Sequence, residues 1–258
     1  MPTSEPSLRL LDALAADPAR AGLFSDFDGT LSAIVDRPED AEPLSGVVDV
    51  VTALAGSLGR VAIVSGRPVA FVSQYFPPSV DIAGLYGLEL RVDGTFRDHP
   101  MAGAWREVVA DVVTGAVSGP EGMRVESKGL SLTLHYRGRP ELARTVEAWG
   151  RQQAARSGLE LRAAKMSFEL HPPIETNKGT VLADLSEDLS TVAFIGDDVG
   201  DLDAFDALDR FDERGLTTVR VGVRGPEQSD ALVERADVAL DGPEGVLDAL
   251  RALADRLA

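Results

Sequence analysis

Apolar residues fall along this chain in short runs, each closing on small, acidic or glycine residues. Ala21-Gly22-Leu23-Phe24 leads into Ser25-Asp26-Phe27-Asp28-Gly29-Thr30, and Arg60-Val61-Ala62-Ile63-Val64 leads into Ser65-Gly66-Arg67. Thr191-Val192-Ala193-Phe194-Ile195 leads likewise into Gly196-Asp197-Asp198. Runs of this length bounded by turn residues predict buried strands. Further strands are predicted at Thr217 to Val223 and Ala236 to Leu240. A short apolar segment covers Asp81 to Leu90, and Val92-Asp93-Gly94-Thr95 is a hairpin signal. Helical spacing is predicted over residues 5–16, where Leu8, Leu10, Leu11 and Leu14 share a side, and over Pro43 to Leu58, Val181 to Leu185 and Pro243 to Leu257. Strands alternating with helices predict an α/β fold, a doubly wound and mainly parallel sheet with helices on both faces.

The middle of the chain has a different rhythm. From about Pro100 to His171 the order reads helix, strand, strand, helix, strand, strand. Leu130, Leu132, Leu134 and Tyr136 alternate with Ser131, Thr133, His135 and Arg137, the pattern of an antiparallel strand with one covered face. This predicts an inserted α+β cap, two helices on a small antiparallel sheet, over residues 100–172, with residues 1–99 and 173–258 forming the core. His99-Pro100 and His171-Pro172-Pro173 mark the two crossings, where proline would stiffen the hinges.

Composition narrows the function. The chain has 258 residues and a formal net charge of −17, which disfavours nucleic acid or an anionic membrane as partner. Without cysteine, disulfides and thiolate chemistry are excluded. No run reaches the length of a membrane span and the N-terminus lacks a signal-peptide layout, so the expectation is a cytoplasmic protein. Separately, a monomer is expected. Of the 25 basic residues only Lys128, Lys165 and Lys178 are lysine. A lysine kept against that bias suggests a need for a compact, mobile ammonium.

Asp26 and Asp28, two residues apart at a strand exit, are expected to face one way, and like charges so placed repel unless a cation or a proton intervenes. In a parallel sheet the carboxyl ends of strands meet at one edge, where ligands bind. That edge would gather Asp26, Asp28, Ser65, Asp197, Asp198 and Asp201, with Lys178 in Thr176-Asn177-Lys178-Gly179 just ahead of a helix. Taken singly, Ser65-Gly66 also reads as a plain turn, Lys178 as a solvated helix start, and residues 197–201 as an N-cap region. Together, acids, a hydroxyl and a lysine suit phosphoryl transfer assisted by a divalent cation.

These four segments, Asp26-Phe27-Asp28-Gly29-Thr30, Ser65-Gly66-Arg67, Asn177-Lys178-Gly179 and Gly196-Asp197-Asp198-Val199-Gly200-Asp201, resemble the ordered motifs of the haloacid dehalogenase superfamily of phosphatases. The resemblance implies that Asp26 is the nucleophile, that Asp28 is the general acid and base, and that Ser65 and Lys178 orient the phosphoryl group. It also implies Mg²⁺ held by Asp26, the Asp28 backbone carbonyl and Asp197, with Asp198 or Asp201 in support.

Leu31 to Ala41, Val125-Glu126-Ser127-Lys128-Gly129-Leu130-Ser131, Leu134-His135-Tyr136-Arg137 and Phe168-Glu169-Leu170-His171-Pro172 are similar to segments of trehalose-6-phosphate phosphatases. This narrower resemblance implies that Glu126, Lys128 and Glu169 hold the sugar hydroxyls, with Arg67 and Asn177 also at the substrate. Such a protein would act on a small-molecule sugar phosphate, releasing trehalose and phosphate from trehalose 6-phosphate. Alternatives are another sugar phosphate, such as sucrose phosphate or a glycosyl-phosphoglycerate, and a non-catalytic phosphate-sensing module. The chain departs from the family pattern at Val199-Gly200, at Leu202 and at Tyr86-Gly87-Leu88-Glu89, which bears on fine specificity rather than on the chemistry.

Overall fold

The computed structural model describes residues 5–35, 37–164, 166–225 and 230–258. Asp36 and Lys165 lie outside the described residues, as does the side chain of Leu8. In chain order the strands are β1 (Ala21–Ser25), β2 (Arg60–Val64), β3 (Asp81–Gly84), β4 (Glu89–Val92), β5 (Thr95–Asp98) and β6 (Arg124–Ser127). They continue with β7 (Leu132–His135), β8 (Glu160–Ala164), β9 (Ser167–His171), β10 (Thr191–Gly196), β11 (Thr217–Arg224) and β12 (Val238–Asp241). The helices are α1 (Glu5–Ala16), α2 (Val47–Ala55), α3 (Val69–Val72), α4 (Arg106–Gly115) and α5 (Ala143–Ser157). After them come α6 (Lys178–Leu185), α7 (Leu202–Glu213), α8 (Asp230–Arg235) and α9 (Gly242–Leu257). None of these helices is long and apolar enough to cross a membrane.

The chain divides into two compact units, Met1–Arg97 with Thr176–Ala258, and Asp98–Glu175. The first is built on a sheet of order β12-β11-β10-β1-β2-β3-β4-β5. Strands β12 through β3 run parallel, and β4 returns antiparallel to β3. Side chains alternate across the sheet: Leu23 joins a core with Leu14, Leu54 and Leu250, while Phe24 joins one with Leu182, Phe205 and Leu232. Both faces are therefore covered, which is why the parallel strands read as nearly continuous apolar runs. Each fully buried leucine or phenylalanine contributes roughly 1.5–3 kcal/mol.

Three elements differ from the sequence expectation. Helix α2 starts at Val47 rather than near Pro43, because Gly46 at φ 91° forms its N-cap. Helix α6 begins at Lys178 itself, ahead of the expected Val181, since Asn177 accepts from the Thr180 N–H and closes a capping box. The segment from Asp81 to Leu90 is two strands, broken where Leu85 (φ 50°), Tyr86 (φ 57°) and Gly87 (φ 100°) are all left-handed.

The second unit is a four-stranded antiparallel sheet of order β6-β7-β9-β8 with α4 and α5. Leu132, Leu134 and Leu170 pack with Val109, Val112 and Val146 on one face. The opposite face is polar yet also buried, at Ser131, Thr133, Ser167, Glu169 and His171. The expected single covered face of β7 is thus corrected: alternation records chemistry, and here both sides are withdrawn from water.

Candidate active site

Strand β1 lies between β10 and β2, so its end is the place where the sheet order reverses. Ser25 is in register with Ile195 and Ile63, and the Asp26 N–H donates to the Ile195 carbonyl at 2.8 Å. Three adjacent strands therefore end together, and Asp26, Asp197 and Ser65 follow side by side.

The carboxylates of Asp26, Asp197 and Asp201 come within 4.8 Å of one another, and all three residues are buried. Glycines make the approach possible. A Cβ on Gly29, at φ 76°, would lie 2.1 Å from the Asp197 carboxylate, and one on Gly196 would lie 2.3 Å from the Asp201 Cγ. Lys178, at the first position of α6, sends its ammonium between them, 2.9 Å from Asp26 Oδ1 and 2.5 Å from Asp201 Oδ1.

Charge in this cluster does not balance. One ammonium faces three carboxylates, and burial pushes each acid up from its ordinary range. For Asp26 burial outweighs the pull of Lys178, and Asp201 and Asp197 add repulsion. Asp197 is pushed up to about 8, first by burial and then by Asp201 and Asp198. Lys178 is held well above its usual range, since Asp201 and Asp26 outweigh the desolvation that opposes its charge. A divalent cation fits such a site on two counts: the donors are hard oxygens, and two negative charges exceed what Lys178 neutralises.

The remaining expected site residues are distributed as follows. Ser65 is buried beside the strand ends, with its hydroxyl 3.2 Å from the Arg67 N–H that donates to it. Asp28 is held by Arg67, whose Nε and Nη2 each donate to one of its carboxylate oxygens at 2.7 Å. Asp198 caps the short turn Val199–Asp201 by accepting from the Gly200 N–H at 2.7 Å. Asp201 carries more than a supporting part, since its second oxygen also accepts from the N–H groups of Asp197 (2.9 Å) and Asp198 (3.1 Å). The side chain of Asn177 caps α6, and that of Arg67 is committed to Asp28. Val199, where the chain departs from the family pattern, is exposed.

In the second unit, β-register sets Glu126 opposite Thr133 and Thr133 opposite Glu169. Glu169 is 3% exposed, accepts from the Ser131 hydroxyl at 2.6 Å and lies 3.6 Å from the Lys128 ammonium. Glu126 meets His135 Nε2 at 2.7 Å. Sequence reasoning did not single out His135 or Ser131 as partners of these acids. Their alternation with leucine on β7 placed them on the same polar face, and only the strand register shows which acid each one meets.

The sequence profile of the trehalose-phosphatase family matches residues 24–238. The chain is 34% identical over 255 residues to a trehalose-phosphate phosphatase of Mycobacterium ulcerans (strain Agy99), covering 92% of this chain and 62% of that protein. It therefore spans about three-fifths of that relative's length. The fold matches the C-terminal domain of the C. albicans trehalose-6-phosphate phosphatase with a TM-score of 0.76 at 23% identity, covering 98% of each chain. It also matches the C-terminal domain of a Candida albicans trehalose synthase regulatory protein, with a TM-score of 0.65 at 12% identity, over 95% of this chain and 97% of that one. With a family profile spanning both units and an acidic cluster at its first and last motifs, the chain belongs to the trehalose-phosphatase family.

Proposed function

We propose that this protein is a Mg²⁺-dependent phosphatase that hydrolyses trehalose 6-phosphate to trehalose and phosphate. The observation that carries the reading is the buried group of Asp26, Asp197 and Asp201 around Lys178, at the reversal point of a parallel sheet. Mg²⁺ bound by Asp26, Asp197 and Asp201 would offset their charge and draw electrons from a phosphate oxygen. Asp26 attacks phosphorus through a carboxylate oxygen, so a P–O bond to Asp26 forms as the ester P–O bond breaks. Asp28 gives the leaving sugar oxygen its proton. It then takes a proton from the water that displaces Asp26 from phosphorus. Lys178 and Ser65 hold the phosphoryl oxygens as that geometry changes.

Substrate choice rests on the second unit. A disaccharide is neutral and rich in hydroxyls, so recognition calls for donors and acceptors that converge. Glu126, Lys128 and Glu169, on and beside one polar sheet face, supply that set. A regulatory, phosphate-sensing module is the competing reading, since the fold occurs in a trehalose synthase regulatory protein. The Asp26 and Asp28 pair, a nucleophile with an acid two residues on, supports an enzyme instead. Phosphate release across trehalose 6-phosphate, sucrose phosphate, a glycosyl-phosphoglycerate and glucose 6-phosphate, with and without Mg²⁺, decides between them. Mg²⁺-dependent release fastest from trehalose 6-phosphate is the expected result. No release from any ester would leave the regulatory reading.

A further inference from the structure

We propose that Arg67 is the positioning residue for Asp28, fixing the direction in which its carboxyl group hands over the proton. The inference rests on the reading of Asp28 as general acid and base. Proton transfer needs a heavy-atom approach of about 2.6–3.2 Å along a usable direction. Asp28 lies past the end of β1 with its side chain 35% exposed, so nothing in its local backbone fixes the carboxyl plane.

The guanidinium of Arg67 does. Its Nε and Nη2 donate one hydrogen bond to each Asp28 oxygen, both at 2.7 Å, the paired-fork geometry that defines a plane as well as a distance. Each carboxyl oxygen keeps a second lone pair for the proton. Arg67 is in turn immobilised from three sides. Its Nη1 donates to the Pro38 carbonyl at 2.7 Å, its carbon centre lies 4.2 Å from the Phe71 ring centroid, and Phe27 stands 5.7 Å away. Those rings are braced by Tyr75, whose hydroxyl donates to the Ala41 carbonyl at 3.1 Å. Phe27 therefore has a task of its own between the two acids: it faces away from them and forms part of the platform under Arg67.

The same geometry argues against Arg67 as a substrate contact. Three of its five N–H groups are spent within the protein, and its side chain is 13% exposed. Lysine could keep the charge but could offer neither the fork nor the stacking. Removing Arg67 should thus leave Asp26, Lys178 and substrate affinity intact while impairing the proton transfer.

The test compares two esters in Arg67→Met and Arg67→Lys. A sugar phosphate needs its leaving oxygen protonated, whereas p-nitrophenyl phosphate releases a stable phenolate that does not. With the sugar phosphate, kcat should fall about 100-fold, within the range of a lost general acid, with KM changed by less than about threefold. First-turnover release of p-nitrophenolate, read by rapid mixing, should stay within about threefold of wild type. Arg67→Lys should show the same split and guards against Arg67→Met failing to fold. A rise in KM of about tenfold or more at unchanged kcat would make Arg67 a substrate contact and overturn the proposal. Equal losses on both esters would make it merely structural and overturn it too. Wild-type protein that releases phosphate from neither ester would instead overturn the phosphatase reading on which this inference stands.

Discussion

In the core unit Asp26, Asp197 and Asp201 share the single ammonium of Lys178; in the inserted unit Glu126 and Glu169 have separate partners, His135 for one and Lys128 with Ser131 for the other. Both groups are drawn out of bulk water, but only the first crowds three buried carboxylates round one ammonium. Burial raises Asp26, Asp197 and Asp201, their mutual repulsion adds to it, and the deficit of positive charge suits a divalent cation and a phosphate. In the second group one carboxylate meets an imidazole and the other a hydroxyl and an ammonium. Such a mixed set of donors and acceptors is suited to hydroxyl groups, which exchange hydrogen bonds without changing charge. Under the proposed function the contrast separates two tasks: handling charge at phosphorus in one unit, and reading a neutral sugar in the other.

The largest effect should come from Asp26→Asn, which keeps the shape of the side chain and removes the proposed nucleophile. Turnover of both trehalose 6-phosphate and p-nitrophenyl phosphate should fall by at least about 10⁴-fold, on the scale of lost nucleophiles elsewhere, with an unchanged circular-dichroism spectrum. Retained turnover would move the nucleophile to another residue. Lys178→Met removes the only ammonium in the acidic cluster among the described residues. It should cost about 3–5 kcal/mol in urea unfolding without Mg²⁺, because buried carboxylates lose their partner. Added Mg²⁺ should recover part of that loss; stability that stays the same with and without Mg²⁺ would contradict the charge-deficit account. Asp198→Ala should have the smallest effect, about 1 kcal/mol of stability from a lost cap. Its Mg²⁺ affinity, measured by calorimetry, should change by less than about threefold, whereas a direct ligand would cost far more.

Why the core was easier to read follows from where its chemistry is encoded. Asp26, Asp28, Ser65, Asp197 and Asp201 sit in short contiguous motifs at the ends of apolar runs, so local pattern and parallel topology together bring them to one edge. Asp93-Gly94 likewise announced its turn, with both residues left-handed in the structure. What stayed hidden is the choice of partner. Nothing local told whether Arg67 would turn toward substrate or toward Asp28, a residue 39 positions away. Asn177 and Asp198 carry side chains equally able to bind a ligand or cap a turn, and both cap. The pairing of Lys128 with Glu169, 41 positions on, depends on the β6-β7-β9 order. Left-handed Leu85 and Tyr86 had no signal beyond Gly87, since neither residue type favours that conformation.

The division of labour between the two units is tested most directly by kcat/KM for Glu169→Ala on two substrates. Turnover of trehalose 6-phosphate should fall by about 100-fold, as when a site loses a buried acceptor for a substrate hydroxyl, while that of p-nitrophenyl phosphate stays within about threefold. Equal losses on both substrates would contradict the account, because Glu169 would then serve the fold or the chemistry rather than the choice of sugar.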